Sequence, residues 1–364
     1  MALSALAMAG AVFAGCGSDD NSSSGGGSST TDSGGKAQKV AVLLPDTKSS
    51  VRWETADKPL LQKAFDDAGV PVEIQNAQGD KSAQQQQAEQ AITNGAKILL
   101  LTNLDSGSGA AIEANAKSRG VKVIDYDRLT LKGAADYYVS FDNVGVGKLQ
   151  GEGLKKCLAD GGAATPNIAE LNGSPTDNNA TLFKQGYDSV LDPMYKGGEA
   201  KKVADQSVPD WDNQQALTIF EQMLQKTNNK IDGVLAANDG LGNAVISALK
   251  QRKLKTIPVT GQDATAQGIQ HILAGDQCMT VYKAVQKEAD AAAQLAIALS
   301  KGTDPPSGLV NGKSDDGSRQ VPSVLLQPQA ITKENVDVPI KDGFLKKEDV
   351  CTGQFASLCT EAGI

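Results

Sequence analysis

Short, predominantly apolar stretches recur along the chain from residue 39 and alternate with stretches of helical periodicity. The apolar stretches of the first half are residues 39–45, 71–76, 97–102, 121–126 and 137–141. Such runs are typical of strands that are buried on both faces of a parallel sheet. The predicted helices between them are residues 53–68, 82–94 and 106–119. Four successive β-α units predict a doubly wound sheet.

A second series of the same kind follows. Its predicted strands are residues 167–171, 200–208, 233–237, 258–261 and 278–282. Its predicted helices are residues 144–158, 178–195, 213–228, 239–251, 264–274 and 284–301. The two series share an order of elements and no repeated residues, so the sequence predicts an α/β protein of two similar lobes, each with a doubly wound parallel sheet. A last strand-like run at residues 321–326 indicates that the chain returns to the first lobe.

The N-terminal residues differ in composition from the rest of the chain. Residues 1–15 are small and apolar and end directly before Cys16, as in a lipoprotein signal peptide. Residues 17–38 are almost entirely Gly, Ser, Thr, Asp and Asn, which is typical of a flexible linker. We therefore expect a lipidated Cys16 that anchors the exported protein to the outer face of the cytoplasmic membrane. The alternative is that these residues form a short buried helix. The absence of Lys or Arg before the apolar stretch favours this alternative, because a signal peptide usually begins with basic residues.

Composition and charge narrow the class of partner. The 364 residues are enough for two domains, at about 150 residues per domain. A formal net charge of -8 argues against nucleic acid as a partner, because phosphate binding requires a basic surface. After the N-terminal stretch, no segment approaches the roughly 20 apolar residues of a membrane-spanning helix.

Four cysteines follow the one at the predicted cleavage site. They are Cys157, Cys278, Cys351 and Cys359. An exported protein lies in a compartment that permits disulfides, and four cysteines allow three pairings. The short loop between the last two favours their pairing and leaves Cys157 to Cys278. A zinc site is disfavoured because the chain has one histidine and no Cys-x-x-Cys pair.

Polar and aromatic side chains follow most of the predicted strands. In open α/β sheets, ligands bind beyond the carboxyl ends of the strands, so these side chains are candidates for a binding site. They are Arg52, Trp53, Asp127, Arg128, Asp177, Asn178, Asn179, Trp211, Asn238, Asp239, Gln262, Asp263 and Lys283. Acidic and amide residues at such positions also cap helices. We expect capping from Asn178 and Asp239, and ligand contact from Arg128, Asn238 and Asp263.

This set of side chains suits a sugar. Sugar hydroxyls donate and accept hydrogen bonds, as Asp, Asn and Arg side chains require, and the C–H faces of a sugar ring stack on indoles. Trp53 and Trp211 are the two tryptophans, and on opposite lobes they would hold the ring between them. Either indole could instead pack into the core or cap a helix. Their polar neighbours favour the binding site.

Neither enzymatic activity nor a cofactor is expected. With one histidine and no Gly-x-Ser-x-Gly segment, a Ser-His-Asp triad is disfavoured. Asp177 and Asp263 could act as the acid and base of a glycosidase. Neighbouring Arg128 and Lys283 would keep both carboxylates ionised, whereas a general acid must hold a proton.

At these residues the chain resembles the periplasmic sugar-binding proteins of ABC importers, in particular the xylose-binding type, which is related to the ribose-binding proteins. The resemblance covers roughly residues 39–344. It rests on the segments Arg52-Trp53, Ile124-Asp125-Tyr126-Asp127-Arg128, Ser140-Phe141-Asp142-Asn143, Gly173-Ser174-Pro175-Thr176-Asp177-Asn178-Asn179-Ala180, Gly261-Gln262-Asp263-Ala264 and Met279-Thr280-Val281-Tyr282-Lys283.

The resemblance implies the periplasmic binding protein type I fold, in which a three-segment hinge joins the lobes. The crossings would lie near residues 140–143, 280–283 and 323–327. The implied regions are a first lobe of residues 39–140 and 284–322 and a second lobe of residues 141–283 and 323–345, and the tail of residues 346–364 lies outside the resemblance. The resemblance also implies a pyranose, D-xylose above all, between the two tryptophans. Its hydroxyls would contact Arg52, Asp127, Arg128, Asp177, Asn179, Asn238, Asp263 and Lys283.

A protein of this type delivers its sugar to the membrane subunits of an ABC permease, and we expect a monomer with that partner. The alternative function is a sensor module that presents its closed form to a chemoreceptor or sensor kinase. The alternative ligand is another pentose or hexose. A transcriptional regulator with the same lobes is disfavoured, because the predicted signal peptide and linker stand where a DNA-binding helix pair would be.

Overall fold

The computed structural model describes residues 37–162 and 164–364, which form two α/β lobes. The predicted signal peptide, Cys16 and the linker as far as residue 36 lie outside the described residues. Ala37 packs against the core of the first lobe, and the amide of Gln38 donates a 2.9 Å hydrogen bond to the carbonyl of Ser300. The end of the predicted linker therefore belongs to the first lobe. In the described part of the chain, no helix is long and apolar enough to span a membrane.

The elements follow the predicted alternation of strands and helices. In chain order, the strands are β1 (Lys39–Leu44), β2 (Val72–Asn76), β3 (Ala96–Leu101), β4 (Lys122–Tyr126), β5 (Tyr137–Phe141), β6 (Asn167–Asn172), β7 (Lys201–Ser207), β8 (Gly233–Ala236), β9 (Thr280–Tyr282), β10 (Gly312–Asp315), β11 (Gln320–Leu326) and β12 (Gln329–Ile331). The helices are α1 (Lys58–Asp67), α2 (Lys81–Thr93), α3 (Ser106–Ser118), α4 (Asn143–Asp160), α5 (Asn178–Gly197), α6 (Asn213–Lys226), α7 (Asp239–Gln251), α8 (Ala266–Ala274), α9 (Val285–Ser300), α10 (Val338–Lys341), α11 (Lys347–Val350) and α12 (Phe355–Glu361). A π-helical turn (Trp53–Asp57) precedes α1, and 3₁₀ turns cover Pro209–Trp211 and Lys333–Asn335.

The first lobe contains a seven-stranded sheet in the order β10-β11-β5-β4-β3-β1-β2. Neighbouring strands are parallel except β10, which pairs antiparallel with β11 at the edge. Along β3, Ile98 and Leu100 pack with residues of α1 and α9, while Leu99 and Leu101 pack with residues of α2 and α3. Because helices cover both faces, the strand must be apolar throughout.

The second lobe contains a three-stranded parallel sheet in the order β7-β6-β8 and a separate antiparallel pair of β9 and β12. The predicted strand 258–261 contributes only a bridge between Val259 and Val234. The hydroxyl of Thr260 bonds both the amide and the carbonyl of Ala236, at 2.9 and 3.0 Å. At Ala236, hydrogen bonds to a side chain thus replace the backbone hydrogen bonds that a neighbouring strand would make. The short polar strands β10 and β12 have no strand signal in the sequence.

Three segments connect the lobes. β5 leads into α4 through Asp142, and β9 leads into α9 through residues 283–284. The third segment, residues 327–328, connects β11 to β12. The predicted return to the second lobe at residue 323 is wrong, because β11 pairs with β5 as far as Leu326. The apolar residues of this run are buried beside the first sheet, which keeps the whole strand in the first lobe.

The tail, residues 346–364, packs on the second lobe. Val350 is buried in a cluster that includes residues of α8 and α12. Both expected disulfides are present, with Cα–Cα distances of 6.4 Å for Cys157–Cys278 and 5.8 Å for Cys351–Cys359. The second disulfide fastens the two short helices of the tail to each other.

Candidate ligand-binding site

A pocket lies between the lobes, beyond the carboxyl ends of their parallel strands. All ten side chains that the resemblance to sugar-binding proteins implies as ligand contacts line it. They are Arg52, Trp53, Asp127, Arg128, Asp177, Asn179, Trp211, Asn238, Asp263 and Lys283. Four more residues complete the wall, namely Ser49, Ser50, Phe183 and Gln262.

Turns that follow strands carry the wall residues. Arg52 and Trp53 stand at the start of the π-helical turn after β1, a local geometry that is frequent at functional sites. Asp127, Trp211 and Asp263 have φ angles of 64°, 56° and 98°, in a region that side chains rarely adopt. Such backbone strain persists only where the surroundings enforce it, and it clusters at binding and catalytic sites.

Arg52 is the centre of a buried charge cluster in the first lobe. Its guanidinium donates to both carboxylate oxygens of Asp57 at 2.6 and 2.8 Å, to Glu288 at 2.7 Å and to Asp127 at 3.0 Å. It also lies 4.5 Å from the centre of the Trp53 ring, within the range of a cation–π contact. Four of its five N–H groups are thereby used. Arg52 therefore serves mainly to hold Trp53 and Asp127 in place.

The charge balance of this cluster affects Glu288. The cluster contains three carboxylates and two cations, which are Asp57, Asp127, Glu288, Arg52 and Lys283. Burial raises the pKa of Glu288 to about 8, although Arg52 opposes the shift. The second oxygen of Glu288, Oε1, is buried and has no hydrogen-bond partner among the described residues. One proton on that carboxyl group would make the cluster neutral.

Asp127 is ionised and connects the two lobes. Burial alone would raise its pKa. Three nearby cations, Lys283, Arg52 and Arg128, outweigh this effect and lower the pKa of Asp127 to about 2. From the second lobe, Nδ2 of Asn179 donates to the carboxylate and to the backbone carbonyl of Asp127, each at 3.0 Å. These bonds join the lobes beside the pocket.

A second contact across the pocket joins Arg128 to Asp177, with 3.1 Å between Nε and Oδ2. The indole N–H of Trp211 donates to the same Oδ2 at 3.1 Å. In the first lobe, the hydroxyl of Ser49 accepts from the indole of Trp53 and from the guanidinium of Arg128, both at 3.2 Å. Each indole N–H is therefore bonded within the protein, and both rings are fixed before any ligand contacts them.

Lys283 lies in the second hinge segment and faces carboxylates of both lobes. Its ammonium group is 3.6 Å from Asp127 and 3.7 Å from Asp263. The rings of Phe141 and Phe183 lie within 6 Å of it, at 5.8 and 5.9 Å. A buried cation at this position balances the negative charge that each lobe brings to the pocket. Across residues 37–162 and 164–364, no group of three or more His, Cys, Asp or Glu side chains is arranged to hold a metal ion.

Two predictions of helix capping are wrong. The sequence predicts Asn178 and Asp239 as caps of α5 and α7, whereas the caps are Asp177 and Asn238, each one residue earlier. Both capping residues have the extended backbone that a cap requires. Both also line the pocket, so in each case one side chain starts a helix and forms part of the wall.

Asp239 instead supports the loop that carries Asp263. Its carboxylate accepts from the amide of Thr265 at 2.7 Å and from the side chains of Gln277 and Thr280 at 2.8 Å each. Burial raises the pKa of Asp239 to about 6 despite these bonds. The carboxylate lies beneath the turn at residues 261–265 and holds it in one conformation.

Sequence reasoning misses three of the wall residues, which are Ser49, Ser50 and Phe183. Ser49 and Ser50 lie in an irregular loop after β1, and nothing in the local pattern marks them. Phe183 lies within α5, where an apolar residue resembles any core position. Gln262, which follows a predicted strand, is among the sequence candidates, but it is not one of the ten residues that the resemblance implies as ligand contacts.

Comparisons with known proteins agree with this geometry. Residues 40–304 match the family of periplasmic binding protein domains. The D-xylose-binding periplasmic protein of Escherichia coli (strain K12) is 36% identical over 317 residues, which are 86% of this chain and 93% of that protein. An ABC transporter solute-binding protein from Clostridium phytofermentans, solved with bound β-D-glucose, has a TM-score of 0.79 and 31% identity and covers 86% of this chain and 100% of its own. A carbohydrate transporter solute-binding protein from Chloroflexus aurantiacus, in complex with D-glucose, has a TM-score of 0.77 and 30% identity, with coverages of 86% and 98%. The expected type I fold is thereby confirmed, and the chain belongs to the periplasmic binding protein family, in the group that contains the D-xylose-binding periplasmic proteins.

Proposed function

We propose that the protein captures a monosaccharide in its pyranose form, D-xylose above all, between its lobes and delivers it unchanged to an ABC sugar importer. The observation that carries the proposal is the pocket itself. Both lobes contribute to it, and it combines two fixed indole rings with ionised and amide side chains. One relative of the chain is a D-xylose-binding protein, and two related structures hold glucose, which supports a sugar of this size.

Several wall groups keep hydrogen-bonding capacity for sugar hydroxyls. Asn238 uses Oδ1 to accept from the amide of Leu241 at 2.9 Å, which leaves its amide N–H groups for a ligand. The carboxylate of Asp263 has Lys283 at 3.7 Å and retains lone pairs that accept from O–H groups. Arg52 keeps one N–H group. Donors and acceptors side by side suit neighbouring hydroxyls, each of which donates and accepts.

The two indoles supply the apolar surface that the C–H faces of a sugar need. Trp53 and Trp211 belong to opposite lobes and are 2% and 5% exposed. Trp211 packs edge-on against Phe183, with 6.4 Å between ring centres. A Cβ atom at Gly173 would collide with the outer edge of the Trp211 ring, so glycine is required there. Rings fixed in this way lose little freedom when a sugar packs against them.

The contacts between lobes indicate how capture would work. The pairs Asp127–Asn179 and Arg128–Asp177 join the lobes on the walls of the pocket. A sugar that bonds to both lobes adds to these contacts and shifts the equilibrium toward the closed arrangement. In the proposed cycle the closed form, as a monomer, is the form that the permease binds.

Isothermal titration calorimetry with D-xylose, D-ribose, D-glucose, L-arabinose and D-galactose tests the ligand. We expect D-xylose to bind most tightly and to shift the tryptophan emission, because both indoles line the pocket. If D-glucose binds most tightly, sugar capture stands and D-xylose is replaced as the ligand. If none of the five binds, the sugar assignment is refuted. Appearance of a product during long incubation would refute delivery of an unchanged sugar.

A pair of matched variants tests the site. Lys283→Met removes the cation that faces both lobes and should weaken sugar binding about 10- to 100-fold, the effect of losing a charged partner worth about 1–3 kcal/mol. Lys287→Met, four residues further along in α9, changes an exposed side chain that does not line the pocket and should bind as the wild type does. Equal losses in the two variants would contradict the placement of the site.

We further propose that a lipid on Cys16 anchors the protein to the outer face of the cytoplasmic membrane. The support is the apolar stretch before Cys16 and the polar segment after it. Labelled fatty acid should be incorporated into the wild type and the Ser18→Ala control, and both should sediment with membranes. Cys16→Ser should lack the label and leave the membrane fraction. Retention of label in Cys16→Ser would refute the anchor.

A further inference from the structure

Gln262 is the one residue of the described pocket wall that has a buried side-chain oxygen without a hydrogen-bond partner. The residue is 3% exposed and stands next to Asp263. Its Oε1 atom has no partner in the described chain. Buried polar atoms in folded proteins are almost always bonded, because an unpaired one destabilises the fold. The exception at this position therefore requires an explanation.

The backbone prevents Gln262 from moving to another partner. Its carbonyl accepts from the amide of Asp239 at 2.9 Å. On one side, the carbonyl of Gly261 accepts from the amide of Val281 at 3.2 Å, and on the other, the amide of Asp263 donates to the carbonyl of Val281 at 2.9 Å. The segment is thus held at three successive residues, and the side chain is presented from a rigid base.

Other buried amides of the second lobe differ from Gln262. Gln150 and Gln277 also have an unpaired oxygen. The nitrogen of Gln150 donates to three backbone carbonyls, and that of Gln277 donates to Asp239 and to the carbonyl of Met279. Those two amides are therefore anchored by the protein. No described residue anchors the amide of Gln262 in this way, so its hydrogen-bonding capacity is directed at what fills the pocket.

We propose that Gln262 determines specificity by binding the captured sugar, with Oε1 accepting a hydrogen bond from one sugar hydroxyl. The inference rests on the proposed sugar-binding function. An uncharged amide has a fixed direction for donor and acceptor, unlike the carboxylate of Asp263 beside it, which accepts from many directions. A sugar that lacks or inverts that hydroxyl leaves the buried oxygen unpaired, and sites of this kind reject such analogues strongly.

The test compares Gln262→Met with the wild type. Methionine has a similar length and no comparable acceptor, so the variant should bind D-xylose about 10- to 100-fold more weakly. The control is Gln251→Met, at the exposed end of α7, which should bind as the wild type does. Calorimetry with the 2-, 3- and 4-deoxy derivatives of D-xylose identifies the hydroxyl. The derivative that lacks the hydroxyl bonded by Gln262 should bind the wild type weakly. Its affinity should be the same for Gln262→Met, because the hydrogen bond is already missing.

Equal affinity of the wild type and Gln262→Met for D-xylose would overturn the inference, and so would equal losses for all three deoxy sugars. If D-glucose is the tighter ligand, its deoxy derivatives at the same positions replace those of D-xylose. Without sugar, Gln262→Met should unfold at the same temperature as the wild type or higher, because the unpaired oxygen is removed. If it does not fold, Gln262→Asn, which retracts the amide by one methylene, takes its place. Failure of the wild type to bind any sugar would instead refute the proposed function.

Discussion

Replacing Glu288 by glutamine should flatten the dependence of stability on pH above neutrality. Glu288 is fully buried in α9 and accepts from Arg52 at 2.7 Å. The side chains of Asp57, Asp127 and Lys283 also face it. Burial raises its pKa to about 8, whereas glutamate in an unfolded chain titrates near about 4.3. Glutamine imitates the protonated acid, since its oxygen can accept from Arg52 and it carries no charge.

The direction of the effect follows from the two pKa values. The folded protein holds the proton of Glu288 more tightly than the unfolded chain, so the stability that this proton contributes is present at low pH and lost as pH rises toward 8. A group that titrates only in the folded state changes stability by up to about 1.4 kcal/mol per pH unit. Between about pH 7 and pH 9 the wild type should therefore lose about 1.4 kcal/mol, and Glu288→Gln should not.

Other buried groups with shifted pKa values are present in both proteins, so the test is the difference between the two slopes. The pKa of Asp239 is raised to about 6, and burial lowers the pKa of His271. Both side chains are thus largely deprotonated in the folded protein at pH 7. Urea unfolding at three pH values, followed by circular dichroism and tryptophan fluorescence, measures the free energies. Glu89→Gln, on the exposed face of α2, is the control and should keep the slope of the wild type.

Two results would refute this reasoning. A slope in Glu288→Gln equal to that of the wild type would mean that Glu288 does not titrate in this range. A loss of about 3–5 kcal/mol at pH 7, the cost of breaking a buried ion pair, would mean that the wild-type carboxyl group is ionised against Arg52.

Two further predictions concern contacts that hold distant parts of the chain together. Asn179→Ala removes the two hydrogen bonds to Asp127 and a longer one, 3.5 Å, from the hydroxyl of Tyr138, all of which reach the first lobe. We expect an approximately tenfold weaker sugar affinity by calorimetry and a larger radius of gyration by X-ray scattering; an unchanged radius would contradict the role of Asn179 in closure. Replacing Cys157 and Cys278 by serine should cost about 5 kcal/mol of stability, and replacing Cys351 and Cys359 about 2.5 kcal/mol, because the first disulfide closes a separation of 121 residues and the second one of 8. Scanning calorimetry measures both losses, and the reverse order would contradict the loop-entropy argument.

Local pattern alone predicts the two α/β lobes and thirteen candidate side chains after the strands, and the resemblance to sugar-binding proteins implies the ten of them that meet at the pocket. Strands covered by helices on both faces must be largely apolar, so β1 and β3 are visible as apolar runs. Polar residues directly after such strands lie at one edge of a sheet. The positions of Asp127 and Arg128 after β4 therefore predict that they line a common wall, and the structure brings them there.

Other features depend on contacts between residues far apart in the chain. The sequence predicts Arg52 as a hydrogen-bond donor to the ligand. Most of its N–H groups instead donate to Asp57 and to Glu288, which is 236 residues away. The assignment of β11 to the first lobe follows from its pairing with β5. The unpaired oxygen of Gln262 appears only when every neighbour is in place. Periodicity reflects burial, a property of each strand or helix, whereas charge balance and hydrogen-bond satisfaction belong to the packed assembly, and only the tertiary structure contains them.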